Sequence, residues 1–217
     1  MHPFVRRIAQ LYVGLVLFGF STALMVRSRL GLAGWDVLHQ GLADRTGLSI
    51  GHVVIAVGAL VLLAWIPLRQ RPGWGTVSNV VVVGFAADAA LAALPSPGAV
   101  VPRSALLAAG ILLNGIATGL YVGAGLGPGP RDGLMTGFAA RTGGSLRRVR
   151  IVIEAAVLLA GWLLGGSVGV GTVAYAVAIG PLAQAFITRF AVRVPAEAAR
   201  SGQAAESPER TDPCPAF

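Results

Sequence analysis

The chain contains one unit written twice. Residues 19–84 and 115–180 align at a constant offset of 96 positions without a gap, and about 28 of the 66 pairs are identical. The identities include polar residues, which chance matching of apolar stretches does not supply. Thr22 recurs as Thr118, Asp36 as Asp132, Arg45-Thr46 as Arg141-Thr142, Ser49 as Ser145 and Thr76 as Thr172. A register this regular signals duplication of a structural unit.

Composition says where that unit lives. Of 217 residues, 55% are hydrophobic and 12% charged, with mean hydropathy +0.73. A soluble domain cannot bury so much apolar surface, so the chain reads as an integral membrane protein. Apolar runs predict spans over residues 8–26, 49–68, 75–94, 104–124, 145–164 and 168–190, with Ser49 and Ser145 capping the second and fifth. The fold expected is therefore all-α, with about six transmembrane helices and three in each copy. Three is odd, so the second copy must lie upside down relative to the first. Residues 1–98 form the first membrane repeat, 99–190 the second, and the Ala-, Glu-, Ser- and Pro-rich stretch 191–217 a disordered cytoplasmic tail.

All 17 basic residues are arginine, and the net charge is +8. The arginines flank apolar spans instead of clustering with exposed aromatics, so they read as topology signals and not as a nucleic-acid surface. Six spans place thirteen arginines on one side and four on the other. The richer side is expected to be cytoplasmic, with both termini facing in, in a bacterial inner membrane. Arg6 and Arg7 precede an apolar run without a small-residue cleavage site, so the first span is expected to be retained. The lone Cys214 excludes a disulfide within one chain and gives no thiolate metal site.

Between the first and second span of each copy lies a segment too broken by Gly and Pro for an ordinary helix: residues 29–47, RLGLAGWDVLHQGLADRTG, and 125–143, GLGPGPRDGLMTGFAARTG. The second half of each predicts a short helix, residues 36–46 and 132–142, with Asp36 or Asp132 as N-cap and Gly47 or Gly143 as the stop. About 11 residues span roughly 16 Å, half a bilayer core. Paired interruptions in matching places point to the central site of a transporter, where free N–H groups and helix dipoles meet a ligand. The competing reading makes both segments surface loops with capped amphipathic helices.

The substrate- or ion-binding candidates are Asp36, Asp132, Arg131, Glu154 and the loop residues Gly127, Pro128, Gly129 and Pro130. The two carboxylates make a proton, cation or amine as plausible a ligand as an anion. Trp35 and Arg131 occupy equivalent positions, so the two halves of a pseudo-symmetric site differ in chemistry. Glu154 falls inside the fifth span, where a carboxylate points to proton coupling unless Arg150, four residues earlier, pairs with it. Asp88 in the third span is a similar case, and His39, one turn after Asp36, is a possible proton relay. Asn79, Asn114, Thr22, Thr118, Thr76 and Thr172 read as helix–helix contacts. No triad, nucleophile–base pair, metal spacing or P-loop is present, so neither an enzyme nor a cofactor is expected.

Through residues 125–135, of the type G-L-G-x-x-P-x-D-G-L-M, with the degenerate upstream copy, the chain resembles the YczE/YyaS/YitT family of bacterial membrane proteins over residues 4–190. In the first copy Leu32, Ala33 and Gly34 stand where Pro128, Gly129 and Pro130 do. The resemblance implies a multispanning inner-membrane protein, grouped with candidate exporters of small organic compounds. The expected function is secondary transport, an exporter of a small organic molecule with proton coupling. A passive channel and a non-transporting scaffold or accessory protein are the alternatives. The expected partners are the lipid bilayer, the small-molecule substrate and a second copy in a homodimer.

Overall fold

A computed structural model describes residues 3–191. The expected tail therefore lies, beyond Ala191, outside the described residues. Eight helices and no strands make up the described chain: α1 Pro3–Ser28, α2 Gly34–Thr46, α3 Ile50–Trp65, α4 Trp74–Ala93, α5 Val100–Gly123, α6 Pro130–Thr142, α7 Leu146–Leu163 and α8 Val170–Phe190. The 96-residue register carries α2 onto α6 residue for residue, and α1, α3 and α4 onto α5, α7 and α8 within two residues at every end.

Four helices, α1, α4, α5 and α8, are long and apolar enough to cross a membrane. A fifth crossing arises if α2 and α3, bent by 114° at their junction, count as one broken span. The six expected spans thus reduce to four or five by length and composition. The α3 helix has 16 residues, roughly 24 Å at the helical rise, short of a hydrocarbon core. Its counterpart α7 carries Arg147, Arg148, Arg150 and Glu154 within its first half.

The long helices form the frame. α1 and α5 run antiparallel: Arg7 at the start of α1 donates to the Ala124 and Gly125 carbonyls at the end of α5, both at 2.7 Å. Arg103 at the start of α5 donates to the Ser28 and Arg29 carbonyls at the end of α1, also at 2.7 Å. Each arginine thus satisfies the orphan carbonyls of a helix end and complements its dipole. These residues are exchanged by the 96-residue offset, so the two clasps are equivalent contacts at opposite ends of the antiparallel pair.

Helix α4 lies parallel to α1, with Tyr12 meeting Ser78 near their starts and Arg27 the Leu91 carbonyl near their ends, while α8 lies parallel to α5, with Gly119 against Phe186 and Gly123 against Phe190. Helix α3 is antiparallel to α4, because Gly51 faces Gly84 and Gly58 faces Val80. The outer faces carry exposed Val13, Val77, Val81, Phe85, Val173 and Val177, as helices bordered by lipid require.

These directions fix the path of the broken segments. α1 ends and α3 begins at the same end of the frame, so residues 29–49 turn inward and return. α2 starts buried at Trp35, Asp36 and Val37 and finishes exposed from Asp44 onward. Residues 125–145 repeat the excursion from the opposite end, with α6 buried at Pro130 and exposed by Thr142. Both short helices therefore turn their N-termini to the interior.

Candidate functional site

The loop leading into each short helix is held by the other copy. The N–H of Gly75, in the first turn of α4, donates to the Leu126 carbonyl at 2.9 Å; the N–H of Gly171, in the first turn of α8, donates to the Leu30 carbonyl at 2.7 Å. Gly31 and Gly127 sit at φ 117° and 128°, where a side chain would be strained and would also strike Thr172 and Thr76. The second loop has further ties. Thr76 Oγ1 donates to the Pro128 carbonyl at 2.8 Å, and Trp65 Nε1 to the Pro130 carbonyl at 3.1 Å. Gly127, Pro128, Gly129 and Pro130 therefore build the support of α6, with the Pro128 carbonyl engaged by α4 and the Pro130 carbonyl by α3.

Both short helices begin two residues earlier than the sequence predicts, with Ala33 and Gly129 as N-caps. Pro130, with its preset φ and missing N–H, suits the first helical position of α6. Asp36 and Asp132 are therefore not N-caps but third-position residues in the first turn, where a carboxylate still faces the positive end of the dipole. The expected stops hold: Gly47 and Gly143 are left-handed C-caps.

The two buried N-termini meet through side chains. Asp36 is 3% exposed and His39 2%. His39 Nδ1 lies 3.3 Å from Asp36 Oδ1, one turn along α2. Arg131 reaches across from α6, placing Nη2 3.5 Å from the same oxygen and its guanidinium carbon 5.1 Å from the centroid of the Trp35 ring. Trp35 and Arg131, equivalent by repeat, thus stack on each other, a cation–π contact. Asp132, the next residue of α6, accepts from Tyr121 Oη of α5 at 3.3 Å. Nearby, Tyr175 of α8 donates to Asn114 Oδ1 at 3.0 Å, and Asn114 donates to Ser21 Oγ at 2.8 Å, joining α8, α5 and α1. Asn114 is thus a helix–helix contact, as expected, whereas Thr76 ties a helix to a loop.

Asp36 and Arg131 come together, Asp132 is held beside them by Tyr121, and Glu154 does not join them. Its carboxylate pairs with Arg150 Nε at 3.0 Å on α7, and both side chains are about half exposed. Asp88 is a cap: its carboxylate accepts the Gly51 N–H at 2.8 Å and the Ser49 hydroxyl at 2.5 Å, closing the N-terminus of α3 from α4. His39 is a core member of the cluster. Trp35 as a platform, Tyr121 and Tyr175 carried no motif. Only the exchange of Trp35 for Arg131 at equivalent positions hinted at the stack.

Among known proteins, residues 5–188 match DUF6198, a family of unknown function. An uncharacterized protein of Haemophilus influenzae is 40% identical over 182 residues, 84% of either chain. The uncharacterized membrane protein YczE of Bacillus subtilis is 33% identical over 171 residues, 78% of this chain and 80% of its own. No solved structure gives a significant match. The all-helical frame, the apolar outer faces and this similarity agree with the resemblance read from residues 125–135: the chain belongs to the DUF6198 family and is a multi-pass, YczE-like membrane protein.

Proposed function

We propose that the protein is a secondary transporter that moves a small organic molecule across the bacterial inner membrane, built as two inverted-topology repeats with both termini cytoplasmic. The observation that carries the reading is the meeting of Asp36 and Trp35 of α2 with Arg131 of α6 at the buried ends of two short helices, one from each copy. In that geometry α2 and α6 are re-entrant half-helices, and the ion pair bridges the repeats near mid-membrane. The antiparallel α1–α5 pair and its two arginine clasps support the inversion.

The bridge supplies a mechanism. Separating the repeats removes Arg131 from Asp36 and leaves a buried carboxylate without its cation, at a cost of about 3–5 kcal/mol. A proton or a substrate group that satisfies Asp36 lowers that cost, so opening is coupled to occupancy. The Asp36–His39 pair is the coupling group in this reading, in place of Glu154, which is already neutralised by Arg150. The direction, export, follows from resemblance and from no feature of the site.

Single cysteines at Leu38 and Leu134, in a Cys214→Ser background, test the architecture in intact cells with membrane-impermeant thiol reagents. The expected result is labelling from opposite sides that changes with an imposed proton gradient. Labelling from one side only overturns the inversion. Opposite-sided labelling that ignores the gradient favours a passive channel or a scaffold.

A further inference from the structure

We infer that Asp36 and the Trp35 ring form a subsite for a small organic cation, a guanidinium or ammonium group, and that Arg131 is a displaceable occupant of it. The inference names the substrate class of the site under Proposed function and rests on reading that cluster as a substrate site.

Three observations converge. First, a cation is already bound there: the Arg131 guanidinium lies against both a buried carboxylate and an aromatic face, the two elements that recognise organic cations in a desolvated pocket. Second, the grip is loose. Charge-assisted N–H···O contacts close to about 2.7–2.9 Å, and arginine commonly engages both carboxylate oxygens. Here the ion pair between Arg131 and Asp36 is 3.5 Å long, from Nη2 to Oδ1, and among the described residues the hydrogen bond that the carboxylate makes is with His39, on the same oxygen. Oδ2 of a carboxylate that is 4% exposed is left to accept from another donor. Third, Trp35 Nε1 is buried and finds no acceptor among the described residues. A buried donor of that kind is costly, and a ligand with an acceptor near its charge relieves it.

Arg131 is also mounted to leave. Its side chain is 28% exposed against 4% for Asp36, and it belongs to the opposite copy. Any movement of α6 relative to α2 withdraws it while Asp36 and Trp35, on one helix turn, stay together. A carboxylate-bearing ligand would have to replace Asp36 instead, and Asp36 is seated in the core beside His39.

The test is equilibrium binding to the purified full-length protein in lipid nanodiscs, read as thermal unfolding midpoints against millimolar ethylguanidinium, ethylammonium or propionate at constant ionic strength. Wild type is expected to be stabilised saturably by the two cations and not by propionate. Arg131→Gln removes the competing occupant and should bind ethylguanidinium about tenfold more tightly. Asp36→Asn should abolish the effect in either background. Should Arg131→Gln fail to fold, Arg131→Lys, which keeps the charge but loses the planar stack, is expected to shift affinity in the same direction by about threefold. Saturable binding in Arg131→Gln alone identifies a permanent structural bridge and overturns the inference, as does propionate binding without cation binding, or cation binding that survives Asp36→Asn. Cation binding without opposite-sided labelling at Leu38 and Leu134 keeps the subsite and removes the transporter. The converse keeps the transporter and removes the subsite.

Discussion

The two short helices descend from one sequence and are seated by opposite means. In the first copy α2 lies along α7, where Gly161 lets the backbone of Val37 and Leu38 approach and Gly41 meets the Gly161 carbonyl and Leu164. In the second copy α6 lies along the end of α3, where the bulk is reversed. Gly133 stands in place of Val37, Trp65 in place of Gly161, and a Cβ on Gly133 would fall inside the indole ring. The Trp65 N–H then fastens the Pro130 carbonyl. One helix is therefore more deeply embedded, with six buried residues, while the other buries four, Pro130, Gly133, Met135 and Gly137. Duplicated backbones keep their path when the large and small partners trade sides, because close packing constrains the summed volume at a contact and not which helix supplies it. The trade leaves room for a different residue at each helix start: a ring in one copy, a guanidinium in the other.

The most damaging way to break the comparison is to remove the bulk on one side. Trp65→Ala should cost about 3–5 kcal/mol through the cavity and the lost bond to Pro130. Gly133→Val, which installs the first copy's residue in α6, should cost about 3 kcal/mol by overpacking the same contact. Combined, the two should cost clearly less than their sum, read from thermal unfolding in detergent. Strict additivity would mean that the ring and the glycine are not partners.

A smaller effect sharpens the difference between the loops. Both Thr76 and Thr172 accept the N–H three residues back, at Gly73 and Gly169, but only Thr76 also donates to a loop carbonyl, that of Pro128. Thr76→Val should therefore destabilise by about 1 kcal/mol more than Thr172→Val. Equal losses would show that the Pro128 contact adds nothing. The smallest expected effect concerns α7: Glu154→Gln should change stability by less than about 0.5 kcal/mol, as removing an exposed i,i+4 pair does. A loss several times larger would return Glu154 to the centre of the mechanism.

Much of this architecture is legible in one dimension. The duplication, a short helix in each broken segment and its glycine stop follow from offset and local propensity, because α2 and α6 are built from contacts a few residues apart; only their starts, two residues earlier than local propensity indicates, were missed. The number of crossings is less legible. The run over 49–68 looks continuous, yet α3 stops at Trp65 and residues 66–69 turn back on it, with the Gln70 N–H bonding the Trp65 carbonyl. The site was half legible. Asp36, Arg131 and Asp132 stood out as charges in apolar surroundings, whereas Glu154 stood out for the same reason and proves to be paired on its own helix.

A duplicated membrane chain with an interrupted segment in each half can be read without coordinates, since hydropathy and a 96-residue register need no third dimension. That Arg131 lands on Asp36 and Trp35, that Asp88 closes a helix, and that His39 lies in the core depend on how the helices pack. Residues 95 positions apart meet there because α2 rests on α7 and α6 on α3. That docking is governed by side-chain volumes across the repeats, a property of pairs that no single stretch of chain carries.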